Sequence, residues 1–246
     1  MRVTPNSDSE RFSPLHLARI LGILGLGTIA TGAFDIGYVQ GTLIVAGDPV
    51  TTLHNISTHE TLFRCGFSAH ILTLVCNILG EIISFMLFWR VNWIAAATCL
   101  CTGIVATGIE GVDLLSEYVP LTLATGGSAF ASAFSAEQLH SLAYICLQLQ
   151  PACLLLSYVF YGVDELAGGF LIFRSGFLPR VLGVLLGFAG FCYFTNGLLS
   201  FLAPALDARL NPGIQLACFP GEFGSSLWLA IVGVNVVKWR AWIARS

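Results

Sequence analysis

The chain has 246 residues, of which 56% are hydrophobic and only 10% charged, with a net charge of −3. A soluble domain carries roughly a quarter charged residues, so this composition excludes a water-facing surface and makes lipid the main solvent. It also excludes a nucleic-acid binder, which calls for a basic patch.

An α-helix needs about 20 apolar residues to cross a bilayer. Six stretches reach that length, in chain order Leu15 to Phe34, Leu62 to Trp89, Trp93 to Leu115, Leu139 to Val163, Leu182 to Leu202 and Leu216 to Trp239. Met1 to Glu10 is polar and the first apolar run starts late, after Pro14. No small-residue cleavage pattern follows it, so that run is expected to be a membrane helix and not a signal peptide. The second and third stretches are joined only by Arg90-Val91-Asn92 and should form an antiparallel pair. Pro151 interrupts the fourth and should kink it, freeing a carbonyl. The first and fifth are glycine-rich, which allows close packing, including with a second copy of the chain. No polar linker divides the stretches. The expected fold is all-α: one polytopic transmembrane domain over residues 1–246, a bundle of about six helices.

Lys and Arg set the orientation. Arg2, Arg11, Arg19, Arg90, Arg174, Arg180, Lys238, Arg240 and Arg245 fall on one side of this arrangement, and Arg64 and Arg209 on the other. That bias predicts both termini in the cytoplasm. Trp89, Trp93, Trp239 and Trp242 then lie at the cytoplasmic interface, as an aromatic belt. The long connections Ile36 to Thr61, Val119 to Gln138 and Asp207 to Gly213 fall outside. The chain is expected to be multi-pass in a plasma membrane or the endoplasmic reticulum.

Charges inside membrane helices are expensive, so each one is a functional hypothesis by default. On the second helix His70, Asn77 and Glu81 are seven and four residues apart and share one face. On the third, Glu110, Asp113 and Glu117 form another. Asp35, Glu60, Arg64 and Glu222 lie at outer helix ends, and Asn196 and Asn235 add neutral polar groups. Asp164-Glu165 is expected to cap the cytoplasmic end of the fourth helix, exposed to water. Arg64 is the single cation near several outer carboxyls, so they cannot all be paired. In a low dielectric a carboxyl without a cation favours its protonated form, the form that a general acid or a proton-coupled carrier needs. The eight cysteines lie mostly in apolar runs, and none has metal-site spacing with histidines nearby. There is no phosphate loop, serine elbow, paired-histidine zinc helix or aspartate-rich diphosphate motif, so neither a metal nor another cofactor is expected.

Gly47-Asp48, Asn55-Ile56 and Glu60-Thr61-Leu62-Phe63-Arg64 resemble the pattern "GD…NI…E-x-LFR" of the family called domain of unknown function 4386. The stretch Gly169 to Arg180, followed by Leu182-Gly183, is similar to that family's most distinctive segment. Glu222 with Trp228 and Gly233 resembles its last-helix pattern, and Glu110 falls where the family often has a helix acid. The resemblance covers about Leu17 to Gly233 and implies a six-helix membrane protein with no stated activity. Glu81 departs from the apolar residue expected there, which suggests an acquired task.

A small, helical, acid-rich chain also looks like the general plan of membrane-bound terpene cyclases of meroterpenoid pathways, in architecture alone. In that reading the chain is an isomerase- or lyase-type enzyme that cyclises a prenyl or epoxyprenyl chain, its partners a hydrophobic small molecule and membrane lipid. Glu81, Glu110 or Asp113 would donate the proton, and another carboxylate or His70 would take the terminating one. Asn77, Arg64, Glu60 and Glu222 would contact substrate, and Phe85, Trp228 and Tyr193 would face the cation. The alternative is a small carrier or a non-catalytic membrane protein. If Glu81 and the Glu110 face line one apolar-walled cavity, the enzyme reading gains; a continuous polar path favours transport.

Overall fold

Five apolar runs in this chain are long enough to cross a bilayer as helices, and a sixth passes the same test as a broken pair. A computed structural model describes residues 13–125 and 134–244, and every regular element among them is helical. The chain is a multi-pass membrane protein. The N-terminal arginines Arg2 and Arg11, the middle of the Val119 to Gln138 connection and Arg245 lie outside the described residues.

Helix α1 (Pro14–Gly32) starts on Pro14, whose missing N–H costs nothing in the first turn. It runs on through a π-helical segment, Ala33–Gln40, and a last turn, Gly41–Leu43. The expected loop after Phe34 therefore begins later. A short helix α2 (Pro49–Thr58) follows, capped by the Asp48 carboxylate, which accepts from Thr51 N at 2.9 Å and Thr51 Oγ1 at 2.6 Å. Next come α3 (Glu60–Phe88), α4 (Trp93–Thr125), α5 (Ala136–Ser175) and α6 (Arg180–Leu202). Helix α7 (Pro204–Ile231) includes the expected Asp207 to Gly213 connection, because Pro204 sits where proline is tolerated in the first turn.

Two spans differ in length from the apolar runs. Helix α5 extends well past Val163, since Ala167 to Phe173 continues the apolar helical pattern beyond the charged pair Asp164-Glu165. The last apolar run is not one helix. Gly233 has φ of +74°, a left-handed conformation open to glycine, and the Asn235 side chain caps a new helix, α8 (Val236–Ile243), by accepting from Lys238 N. Helix α8 leaves the preceding axis at 100°.

The six long helices form a ring. Each of α1, α3, α4, α5, α6 and α7 packs on the next, and α7 returns to α1. Large apolar side chains such as Ile71, Leu72, Val75, Ile78, Leu79 and Ile82 on α3 point outward, whereas Asp35, His70, Glu110, Asp113, Glu117 and Asn196 are buried. This inversion suits lipid, where apolar side chains gain nothing by hiding and polar groups must find partners inside. The glycines of α6 serve this ring. A Cβ on Gly183 would lie 2.6 Å from Gly169 O of α5, so the two backbones touch.

Apolar clusters pack toward both ends. At the end holding Arg90, Arg174 and Arg180, the basic end, Ala18, Phe88, Leu171, Ile172, Leu182 and Val234 pack together. Helix α8 lies there too: Trp239 Nε1 reaches Leu87 O at 3.5 Å and Trp242 Nε1 reaches Arg90 O at 3.4 Å. At the opposite end α2 packs against α4, and Val39, Leu43, Ile56, Phe63 and Leu121 form a second cluster.

Candidate functional site: an acid-lined cavity inside the helix ring

All six long helices contribute side chains to the wall of one cavity of about 540 Å³. The wall is mostly apolar, with Leu21, Ile29, Leu154, Ile172, Leu186 and Leu229 among its residues. Five carboxylic acids interrupt it: Glu81, Glu110, Asp164, Glu165 and Glu222. Tyr158, Tyr161 and Tyr193 stand beside them, and no Lys, Arg or His lines the cavity among the described residues.

Four of the acids are arranged as two facing pairs. Glu81 of α3 and Asp164 of α5 are within hydrogen-bonding reach across the ring. Glu165 of α5 and Glu222 of α7 form the second pair, with Tyr193 of α6 beside Glu222. A carboxylate has no donor, so two carboxyls can hydrogen-bond only if one of them carries a proton. Glu165 Oε2 is buried without a hydrogen-bond partner. The expectation that Asp164-Glu165 caps an exposed helix end is overturned. The helix does not stop there, and both side chains point into the cavity. The signal was present in the sequence: Leu154, Tyr158, Tyr161, Glu165, Gly168 and Ile172 recur every three or four residues and all line the wall.

The fifth acid belongs to a chain of hydrogen bonds. Tyr161 Oη donates to Glu110 Oε2 at 3.0 Å, Asn77 Nδ2 donates to Tyr161 Oη at 2.9 Å, and Thr28 Oγ1 donates to Asn77 Oδ1 at 2.8 Å. Asn77 is thus brought to the site. Glu110 is buried, as are Asp113 and Glu117, so none of the three acids of this face turns to water.

Asp113 and Glu117, one and two turns further along α4, lie in a separate buried cluster near the α2 end. His70 Nδ1 is 2.9 Å from Asp35 Oδ2. Gln40 Nε2 donates to Asp35 Oδ2 at 3.1 Å, and both Gln40 and Gln150 donate to Glu117 Oε1. Asp35, His70 and Glu117 each offer a ligand atom, all within 4.8 Å of one another. Asp35 is not at a helix end as expected, because the π-helical segment carries the chain past it and aligns it with Gln40, five residues on. The two glutamines had no signal in the sequence, since neither is charged nor part of a spaced acidic face.

Other expected substrate contacts lie elsewhere. Glu60 and Arg64 form an exposed pair at 2.7 Å at the start of α3. Trp228 is 36% exposed on α7, and Phe85 packs against the basic-end cluster. Neither aromatic lines the cavity, whereas Tyr193 does.

Comparison of sequences gives the chain a family. The model of a family described as "Domain of unknown function (DUF4386)" matches residues 20–233, almost the entire helix ring. The chain belongs to this family. It is also similar to a protein of Archaeoglobus fulgidus described as "Uncharacterized protein", with 35% identity over 78 residues. That match covers 32% of this chain and 44% of the archaeal one, so the chain spans less than half of that relative's length. No solved structure matches.

Proposed function

We propose that the chain is an intramembrane enzyme in which a protonated carboxyl starts a reaction of a lipid-soluble substrate. In its most specific form the reaction is ring closure of a prenyl or epoxyprenyl chain. The observation that supports it is the wall of the cavity: five carboxyls, three tyrosines and no basic side chain among the described residues. A proton held between Glu81 and Asp164 has no cation to compete with it and a largely apolar space in front of it.

The steps balance as an isomerisation. The donor carboxyl, Glu81 or Asp164, protonates the epoxide oxygen. The C–O bond breaks toward that oxygen, and the carbocation is attacked by the next alkene, forming the ring bond. A C–H proton then passes to a carboxylate, with the Glu165 and Glu222 pair or Glu110 as acceptor. Tyr158 and Tyr193, whose rings pack 4.7 Å apart in the cavity wall, supply the aromatic surface that would stabilise the cation.

The test is expression in a heterologous host fed with prenylated phenols and their epoxides. A new cyclic product is expected, and Glu81→Gln and Glu110→Gln should each abolish it while the protein stays folded. Absence of any cyclic product across the panel removes the cyclase reading. Full activity in both variants removes these acids from the mechanism.

A second reading, a proton-coupled carrier, draws on the bonded series Thr28, Asn77, Tyr161 and Glu110 in the cavity wall, a continuous polar path across four residues. Uptake of a hydrophobic cation into proteoliposomes, driven by a pH gradient and lost in Glu110→Gln, would favour it. In either reading we take the basic end to face the cytoplasm, on the positive-inside bias of the sequence.

A further inference from the structure

We propose that Asp35, His70 and Glu117 bind a divalent first-row transition ion, of the zinc or manganese type, between α1, α3 and α4 near the α2 end. The three side chains come from three different helices, and their ligand atoms already lie within 4.8 Å of one another. All three are buried. A single imidazole nitrogen with carboxylate oxygens suits zinc, manganese or ferrous iron, whereas calcium and magnesium prefer oxygen alone.

An independent observation points to a missing ligand. Asp113, one turn before Glu117 on α4, is only 2% exposed, and its Oδ1 has no hydrogen-bond partner. Its carboxyl lies near enough to His70, Glu110 and Asp35 to interact with all three electrostatically, so the unpartnered oxygen borders the cluster. A buried polar atom without a partner is rare and costs free energy unless something unseen satisfies it. A cation would also relieve the charge imbalance. Asp35 and Glu117 lie beside a single imidazole with Asp113 one turn away, and Arg64 is already paired with Glu60 at the surface.

The surroundings have the form of a supported ligand set. Gln40 and Gln150 donate amide protons to Glu117, and Gln40 also donates to Asp35, which fixes both carboxylates. Asp35 and Gln40 reach the same point because the helix is π-wound between them, and π-turns inside α-helices cluster at functional sites. His70 Nδ1 and Asp35 Oδ2 are 2.9 Å apart, so a proton bridges them in the metal-free state. An ion would take that proton's place, and loading would release it.

The experiment needs no substrate, so its outcome is independent of the cyclase reading. The full chain in detergent micelles is stripped with a chelator, dialysed against Zn²⁺ or Mn²⁺, and assayed by elemental mass spectrometry. About one ion per chain is expected, with proton release on loading. His70→Ala and Glu117→Gln should each weaken binding about tenfold or more. Glu222→Gln, in the cavity, should not. Loading with Co²⁺ reports the ligands directly in the unaltered chain: nitrogen and oxygen ligation gives weak visible bands, and thiolate ligation adds strong ultraviolet charge transfer. The proposal is overturned by no stoichiometric ion in the unaltered chain, by unchanged binding in both folded variants, or by a thiolate spectrum.

Discussion

The carboxyl of Glu81 occupies the space that a side chain at Gly103 would fill. A Cβ built on Gly103 would lie 2.5 Å from Glu81 Oε1, so the absence of a side chain on α4 lets the α3 acid turn toward Asp164. Gly103→Ala should displace a movable side chain and leave the helices where they are. The expected outcome is an unchanged melting temperature in detergent with turnover reduced about as much as in Glu81→Gln. Equal activity in Gly103→Ala and the unaltered chain would show that the Glu81 position does not matter.

Replacing one acid of a facing pair with its amide keeps a donor and an acceptor in place. Glu165→Gln should therefore change stability by less than about 1 kcal/mol, since hydrogen bonds between membrane helices are individually weak. Turnover should fall about 100-fold or more, the usual contribution of a positioned acid or base. Thermal melting and product formation, measured on the same preparation, separate the two effects.

The contact between Gly169 and Gly183 is of another kind, because backbone meets backbone. A side chain on either residue has no flexible neighbour to push aside. Gly183→Val should cost at least the ~1–3 kcal/mol typical of overpacking and widen the gap between α5 and α6. The melting temperature in detergent should drop clearly, and a change on the scale of the error would mean that this interface is looser than the structure shows.

Outside the membrane spans, Asp48 gives a prediction in pH. The side-chain and backbone hydrogen bonds from Thr51 hold its carboxyl below the ordinary aspartate value. A depressed value means that the cap is fully present above the unfolded pKa of roughly 3.9 and is lost as pH falls through the folded one. Amide exchange in α2, corrected for its intrinsic rate, should therefore accelerate below about pH 4. Asp48→Asn should remove that dependence, because its amide oxygen caps at every pH.

The helix count was legible in the sequence because an apolar run of spanning length has few other uses. The acidic face Glu110, Asp113 and Glu117 was legible from its spacing. What the spacing could not say is that this face divides between two sites: Glu110 joins the cavity, and the other two join the Asp35–His70 cluster. Asp164 and Glu165 were misread because two adjacent charges look like a helix end. The ring supplies the buried partners, Glu81 and Glu222, that let the helix continue through them. Those pairings join residues 83 and 57 positions apart, beyond the reach of any local pattern. Gly233 and Asn235 did carry a local signal, a helix stop followed by a cap, hidden inside an apolar run.

The ring has an implication for biogenesis. Its seam is the contact between α1 and α7, the earliest and latest of the six long helices to emerge during synthesis. Until α7 arrives, Glu165 lacks its partner and the carboxyl-bearing faces of α3 and α5 stand beside an unfilled gap. The pairing of Glu165 with Glu222 can therefore form only once α7 is in place, which makes it a late step of assembly.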